Sequence, residues 1–176
     1  MEKQTNKTLP WVQAAMIAAI YVVLTFIANA FGLANYAVQV RFSEALTILP
    51  YFTPAAIPGL FVGCLLSNIL TGCALPDIIF GSLATLLGAL GTYALRKWKW
   101  CAPVCPIVAN VIIVPLVLIY GYGLLIDGMS TAQVYGYYAL TVGAGEVISC
   151  GVLGMILLFS LQRHSHKIFK QETGTS

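Results

Sequence analysis

Arg41-Phe42-Ser43-Glu44-Ala45-Leu46-Thr47-Ile48-Leu49-Pro50-Tyr51-Phe52-Thr53-Pro54 is the stretch on which the fold turns. A cation and an anion stand three residues apart at its head. An apolar run follows, and Thr53-Pro54 breaks it. A charge at the bilayer midplane costs roughly 2.5–3.5 kcal/mol on insertion scales, so ionisable side chains in such a run face protein or a cavity rather than lipid. Working outward, Asp77, Asp127 and Glu146 are the other ionisable residues within or beside apolar runs. On the topology argued below, all five fall in the outer half of a helical bundle. The remaining basic residues collect at its inner ends. That asymmetry points to an outward-opening pocket rich in carboxylates.

The composition supports a bilayer as solvent. Of 176 residues, 59% are hydrophobic and 9% are charged, and the mean hydropathy is +0.87. A soluble domain does not carry that ratio. Each crossing takes about 20 apolar residues, so six use roughly 120 and leave short loops and no room for a second folded domain. The expected fold is an all-α integral membrane protein, one transmembrane domain over residues 1–176. Its helices are placed at about residues 10–31, 42–53, 55–71, 77–95, 103–125 and 132–161. Pro58 falls in the first turn of the third helix, where proline is tolerated. Pro106 and Pro115 are expected to bend the fifth.

Charge sets the orientation. Six crossings put the N-terminal tail (Lys3, Lys7), the loop Arg96-Lys97-Trp98-Lys99-Trp100 and the C-terminal tail (Arg163, Lys167, Lys170) on one side. All three are basic, so that side is cytoplasmic and both termini lie there. The net charge of +3 comes mostly from these segments and does not call for a nucleic-acid partner. Lys3 and Lys7 before an apolar stretch, with Ala28-Asn29-Ala30 beyond it, also resemble a signal peptide. The apolar stretch exceeds the usual 7–15-residue core, so a retained first helix is expected, with cleavage after Ala30 as the alternative.

Most enzymatic signatures are missing. There is no G-x-x-x-x-G-K-[ST], no H-E-x-x-H and no G-x-S-x-G. The histidines, His164 and His166, lie in the basic tail, which leaves the membrane without its usual general base. The five cysteines have apolar neighbours and read as small packing residues rather than metal ligands. No cofactor or metal is expected.

Binding is the better use of the charged groups. Glu146 sits among Gly143, Gly145 and Gly151, so a flat ligand can approach its helix closely. A carboxylate accepts two parallel N–H bonds, which suits a guanine-like edge. Phe42 and Tyr138 are candidate stacking residues, and Asn68 can both give and take hydrogen bonds. Arg41 and Glu44 share a helix face at this spacing and form either a structural ion pair or part of the site. Asp77 follows Pro76 and either caps its helix or faces the ligand. Asp127 reads as a loop residue. Glu44, Asp77 and Glu146 against Arg41 leave the pocket at about −2, which favours a small cationic guest.

Small residues mark close helix approach in lipid. The first helix carries Ala14-xxx-Ala18 and Ala15-xxx-Ala19, and the third Gly59-xxx-Gly63-xxx-Ser67. Either serves packing inside the bundle or contact with another subunit.

Two blocks carry a family resemblance. Arg41 to Pro50, continued by Phe52-Thr53-Pro54-Ala55-Ala56-Ile57-Pro58-Gly59-Leu60-Phe61, resembles the QueT family of queuosine-precursor transporters. Asp77-Ile78-Ile79-Phe80-Gly81-Ser82-Leu83-Ala84-Thr85-Leu86 adds a second block. The resemblance implies a substrate-binding S component of an energy-coupling factor (ECF) transporter, in the six-helix S-component bundle. It implies a transmembrane T component and two ATPases as partners, with ATP used by those ATPases. It implies queuine or 7-aminomethyl-7-deazaguanine as substrate, and a small-residue motif, Ala14/Ala18 or Ala15/Ala19, against the T component. It implies a multi-pass protein of the cell membrane. The expected site is then Glu146, Asp77, Glu44, Arg41, Asn68, Phe42 and Tyr138, with Glu146 on the ring edge and Asp77 or Glu44 on the ammonium. An S component for another cationic or heterocyclic vitamin, or a stand-alone carrier, is the alternative.

Overall fold

A computed structural model describes residues 8–32 and 40–163. The basic tails, with Lys3, Lys7, His164, His166, Lys167 and Lys170, lie outside the described residues, as do residues 33–39. All regular structure among the described residues is helical. Helix α1 spans Leu9–Ala30, with proline in its first turn, and Gly32 takes a positive φ of 71° just beyond its end. A 3₁₀ helix follows at Phe42–Tyr51. Then come α2 (Ala56–Leu70), α3 (Leu75–Ala94) and α4 (Val104–Leu116), which continues as a π-helical turn over Val117–Gly121. Helix α5 (Thr131–Glu146) is opened by a capping box between Ser130 and Gln133. It runs through a second π-helical segment, Val147–Leu153, into α6 (Gly154–Gln162). Four of these continuous helical stretches are long and apolar enough to cross a membrane: Leu9–Ala30, Leu75–Ala94, Lys99–Gly121 and Thr131–Gln162.

The 3₁₀ helix is the axis of the bundle. Every residue from Ser43 to Pro50 is buried, and α1, α2, α3, α6 and the second π segment all pack against it. A 3₁₀ run of this length is uncommon because its hydrogen bonds are poorly aligned. Here neighbours on all sides hold it. Leu46 and Leu49 join Ile17, Tyr21, Ala56, Leu60, Cys64 and Ala89 in the main apolar cluster. Large apolar side chains such as Trp11, Met16, Val23, Leu87, Ile112 and Ile156 point outward, as expected of a bundle whose backbone is satisfied internally and whose surface meets lipid.

The alanine stripes separate cleanly. Ala14 and Ala18 are buried against α2. A methyl group on Gly59 would stand 2.7 Å from the Ala14 carbonyl oxygen, and one on Gly63 would stand 3.1 Å from Ala18 Cα. That pair of stripes is an internal backbone-to-backbone contact, so Ala14 and Ala18 are corrected from partner-facing to structural. Ala15 and Ala19 lie on the exposed face of the same helix.

Charge divides between the two ends of the bundle. The end of α1, the end of α2 and the start of α3 meet at one end. The link from α3 to α4, with Arg96, Lys97 and Lys99, forms the other. Arg96 lies over the Tyr93 ring at 4.1 Å, and Lys99 lies near the rings of Trp100 and Phe159.

Candidate ligand-binding site

A cavity of about 370 Å³ lies at the end remote from the basic loop. Thr25, Ala28 and Asn29 of α1 line it, with Arg41, Asn68, Thr71 to Cys73, Asp77, Val114, Leu118, Tyr122 and Leu124 on the remaining sides. The Arg41 Nη2 is 3.9 Å from Asp77 Oδ2. The same oxygen accepts a 3.1 Å hydrogen bond from the Tyr122 hydroxyl. That hydroxyl in turn accepts the Ala74 backbone N–H at 3.1 Å. Burial, with the Asp77 charge beside it, pushes the Tyr122 phenol up to about 12, so it remains a donor at physiological pH. Asn68 donates to the Asp77 carbonyl at 3.3 Å. Gly81 leaves room for this cluster: a methyl there would stand 2.9 Å from Asp77 Oδ1.

Two local readings change. Asp77 is not the cap of α3, because the helix starts at Leu75 and Ala74 occupies the cap position. It sits in the first turn, where a carboxylate still favours the helix dipole, and its oxygen is used by Arg41 and Tyr122. Arg41 does not pair with Glu44. Arg41 precedes the 3₁₀ helix in an extended conformation (φ −104°, ψ 106°), so the helical i, i+3 neighbour rule does not reach it. Asp127 is exposed in the loop before α5.

A second acidic group lies outside this cavity's lining. Glu44 is 1% exposed and Glu146 is 6% exposed. Their carboxylate oxygens and the Cys150 Sγ lie within 4.8 Å of one another. The Tyr21 hydroxyl donates to Glu44 Oε1. The Cys150 thiol donates to Glu146 Oε2 at 3.1 Å and lies 3.4 Å from the Glu44 carbonyl oxygen. Glu44 Oε2 is fully buried without a hydrogen-bond partner, and so is Ser149 Oγ. The ring of groups at this site is polar on every element that reaches it. Thr85 and Cys64 are hydrogen-bonded to each other at 3.3 Å, Asn68 donates to Cys64 at 3.6 Å, and Asn110 is 4% exposed. The contacts running Asn68–Cys64–Thr85 therefore lead from the cavity wall into the interior.

The expected site thus resolves into two levels. Arg41, Asp77 and Asn68 line the cavity, and Glu44 and Glu146 form a sealed pair. Phe42 is half-buried outside this lining, and Tyr138 stacks edge-on against Tyr137 with ring centroids 5.5 Å apart. Thr25 was not singled out by the sequence, Tyr122 was legible only as one of several tyrosines able to stack on a ring, and Cys150 read as a packing residue. The signal for two of them lies in helix geometry. A π-helical segment ends just before Tyr122, and another starts just after Glu146. Such segments inside α-helices cluster at functional sites.

Long apolar helices around an internal polar site define a multi-pass membrane protein. The chain belongs to the QueT transporter family, whose model matches residues 11–163. It is similar to the queuosine precursor transporter QueT of Lactococcus lactis subsp. cremoris (strain MG1363), at 34% identity over 95 residues. That match covers 53% of this chain and 56% of the relative, so it spans about half of each protein. No solved structure matches the chain. The family is one of transporters rather than enzymes.

Proposed function

We propose that this chain is the substrate-binding S component of an ECF-type importer and that it captures a queuosine precursor, queuine or 7-aminomethyl-7-deazaguanine. The cavity beside Arg41 and Asp77 carries the reading. A 7-deazaguanine presents N–H donors and a carbonyl acceptor along one edge. Asp77 is placed to accept the donors and Arg41 to donate to the carbonyl, a complementary pair of charge-assisted bonds. Asn68 and Thr25 offer further polar contacts. The ring edge then falls to Asp77 and Arg41, and the ammonium to the acids beneath them, a reversal of the roles first given to Glu146 and Asp77. The name of the Lactococcus relative supports this substrate class.

Transport on this reading draws on partners. A T component and two cytoplasmic ATPases supply the coupling, and this chain needs no nucleotide motif of its own. The exposed Ala15 and Ala19 offer the small-residue face for the T component. Six crossings in the cell membrane, with the basic end and both termini cytoplasmic, put the cavity at the outer surface.

Thermal-shift and equilibrium binding of the purified protein to queuine, the aminomethyl precursor, thiamin, biotin and riboflavin test the substrate. Stabilisation by the two deazaguanines alone is expected. Stabilisation by one of the vitamins instead would replace the substrate with that vitamin. Uptake by vesicles containing this chain without ATPases would make it a stand-alone carrier.

A further inference from the structure

We propose that Glu44 and Glu146 form the cation site of this protein, holding a shared proton when empty and exchanging it for the ammonium group of a bound ligand. The pair stands on geometry. Two carboxylates and a thiol meet within 4.8 Å, all of them buried. Like charges at such separation inside a protein do not both ionise without a compensating cation. Among the described charged groups only Arg41 brings positive charge to bear on them, and its ion pair is with Asp77 rather than with either glutamate. Tyr21 from α1 and Cys150 from the second π segment are neutral donors, and the Cys64 thiol of α2 accepts from Thr85. Helix α4 contributes the amide of Asn110, and α6 has no ionisable residue between Gly154 and Gln162. Arg41 is held 3.9 Å from Asp77 of α3, so one guanidinium is shared among three carboxylates and leaves the glutamate pair short of a full counter-charge.

A second observation points to a missing group. Glu44 Oε2 is buried with no partner, although its sister oxygen is satisfied by Tyr21. An unpartnered buried carboxylate oxygen carries a full desolvation penalty, of order 1–3 kcal/mol or more. A proton held by the pair lowers it by neutralising one charge, and an N–H of a ligand ammonium satisfies the oxygen directly. The exchange balances simply. A carboxylic acid beside a carboxylate receives an ammonium, the ammonium then lies between two carboxylates, and one proton leaves to water. The exchange rests on the reading of that cavity as a ligand site. The shared proton of the empty protein does not.

Infrared spectroscopy of the empty, unmodified protein in nanodiscs at pH 7, with and without ¹³C-glutamate, tests the proton. The glutamates are Glu2, Glu44, Glu146 and Glu172, and two of these are near the chain ends. A protonated carboxyl C=O band that shifts with the label and is lost in the Glu44→Gln/Glu146→Gln double variant is expected. Absence of the band, a band insensitive to the label, or stoichiometric metal in the purified protein would overturn the shared proton. Calorimetry with the aminomethyl deazaguanine in buffers of different ionisation enthalpy tests the exchange. Release of about one proton per ligand is expected, with affinity rising up to about tenfold per pH unit where the pair titrates. The same ring lacking the amine should release none. Binding without proton release overturns the exchange and leaves the substrate reading intact. A persistent band with no deazaguanine binding overturns the substrate reading, and the exchange falls with it.

Discussion

The two acidic levels of this bundle solve the same problem in opposite ways. Asp77 is an acid with partners on every side: a guanidinium at 3.9 Å, a phenol at 3.1 Å and the first turn of its own helix. Glu44 and Glu146 take their hydrogen bonds from neutral donors and have no ion pair, with one oxygen left over. An apolar solvent makes the first arrangement stable and the second incomplete. The difference teaches that a binding site in lipid can be recognised by what is unfinished in it. The paired charges give shape and orientation, and the unpaired ones create the demand for a guest.

Substitutions can separate the levels. Glu146→Gln or Glu44→Gln should have the largest effect on ligand binding, because each leaves the ammonium with half of its counter-charge. About 2–5 kcal/mol is expected, on the order of 30-fold or more in Kd by calorimetry. Asp77→Asn should follow, at about 1.5–3 kcal/mol, since it removes a charged acceptor and strands Arg41. Unlike the glutamate variants, it should leave proton release on binding intact. Affinity in Asp77→Asn equal to that of the parent would remove the cavity from the site. Tyr122→Phe should cost about 0.5–1.5 kcal/mol, because it frees one acceptor and one backbone N–H that water can reach. Gly59→Leu acts on neither level, since the atoms it meets belong to Ala14 and Ile17. It overpacks the α1–α2 contact, with about 1–3 kcal/mol lost in thermal stability and little change in Kd for the protein that remains folded.

Much of the fold was legible because hydropathy is a strong signal. The all-helical character and the long apolar stretches follow from runs that need no knowledge of packing. What sequence missed were local departures from the α-helix. The 42–51 stretch reads as an ordinary short helix, yet its burial on every side supports a 3₁₀ run, and that places Arg41 outside the helix, where its ion pair is with Asp77 rather than Glu44. The fifth helix was drawn to residue 125, but it ends at Gly121 after its π turn, with Gly123 at φ 67°. The acids were found because a charge in an apolar run is conspicuous. Their division into two levels was not, since it depends on which helix faces which. The Gly59/Gly63 stripe shows the same limit: its small residues announced a close contact, and only the coordinates showed that Ala14 and Ala18 are its partners.

A ligand-bound structure with 7-aminomethyl-7-deazaguanine is the most direct measurement of the central claim. The ring is expected in the cavity between Arg41, Asp77 and Asn68, with the amine nitrogen within hydrogen-bond distance of both Glu44 and Glu146. A ring bound elsewhere, or an amine seated on Asp77 with the buried glutamates untouched, would contradict it.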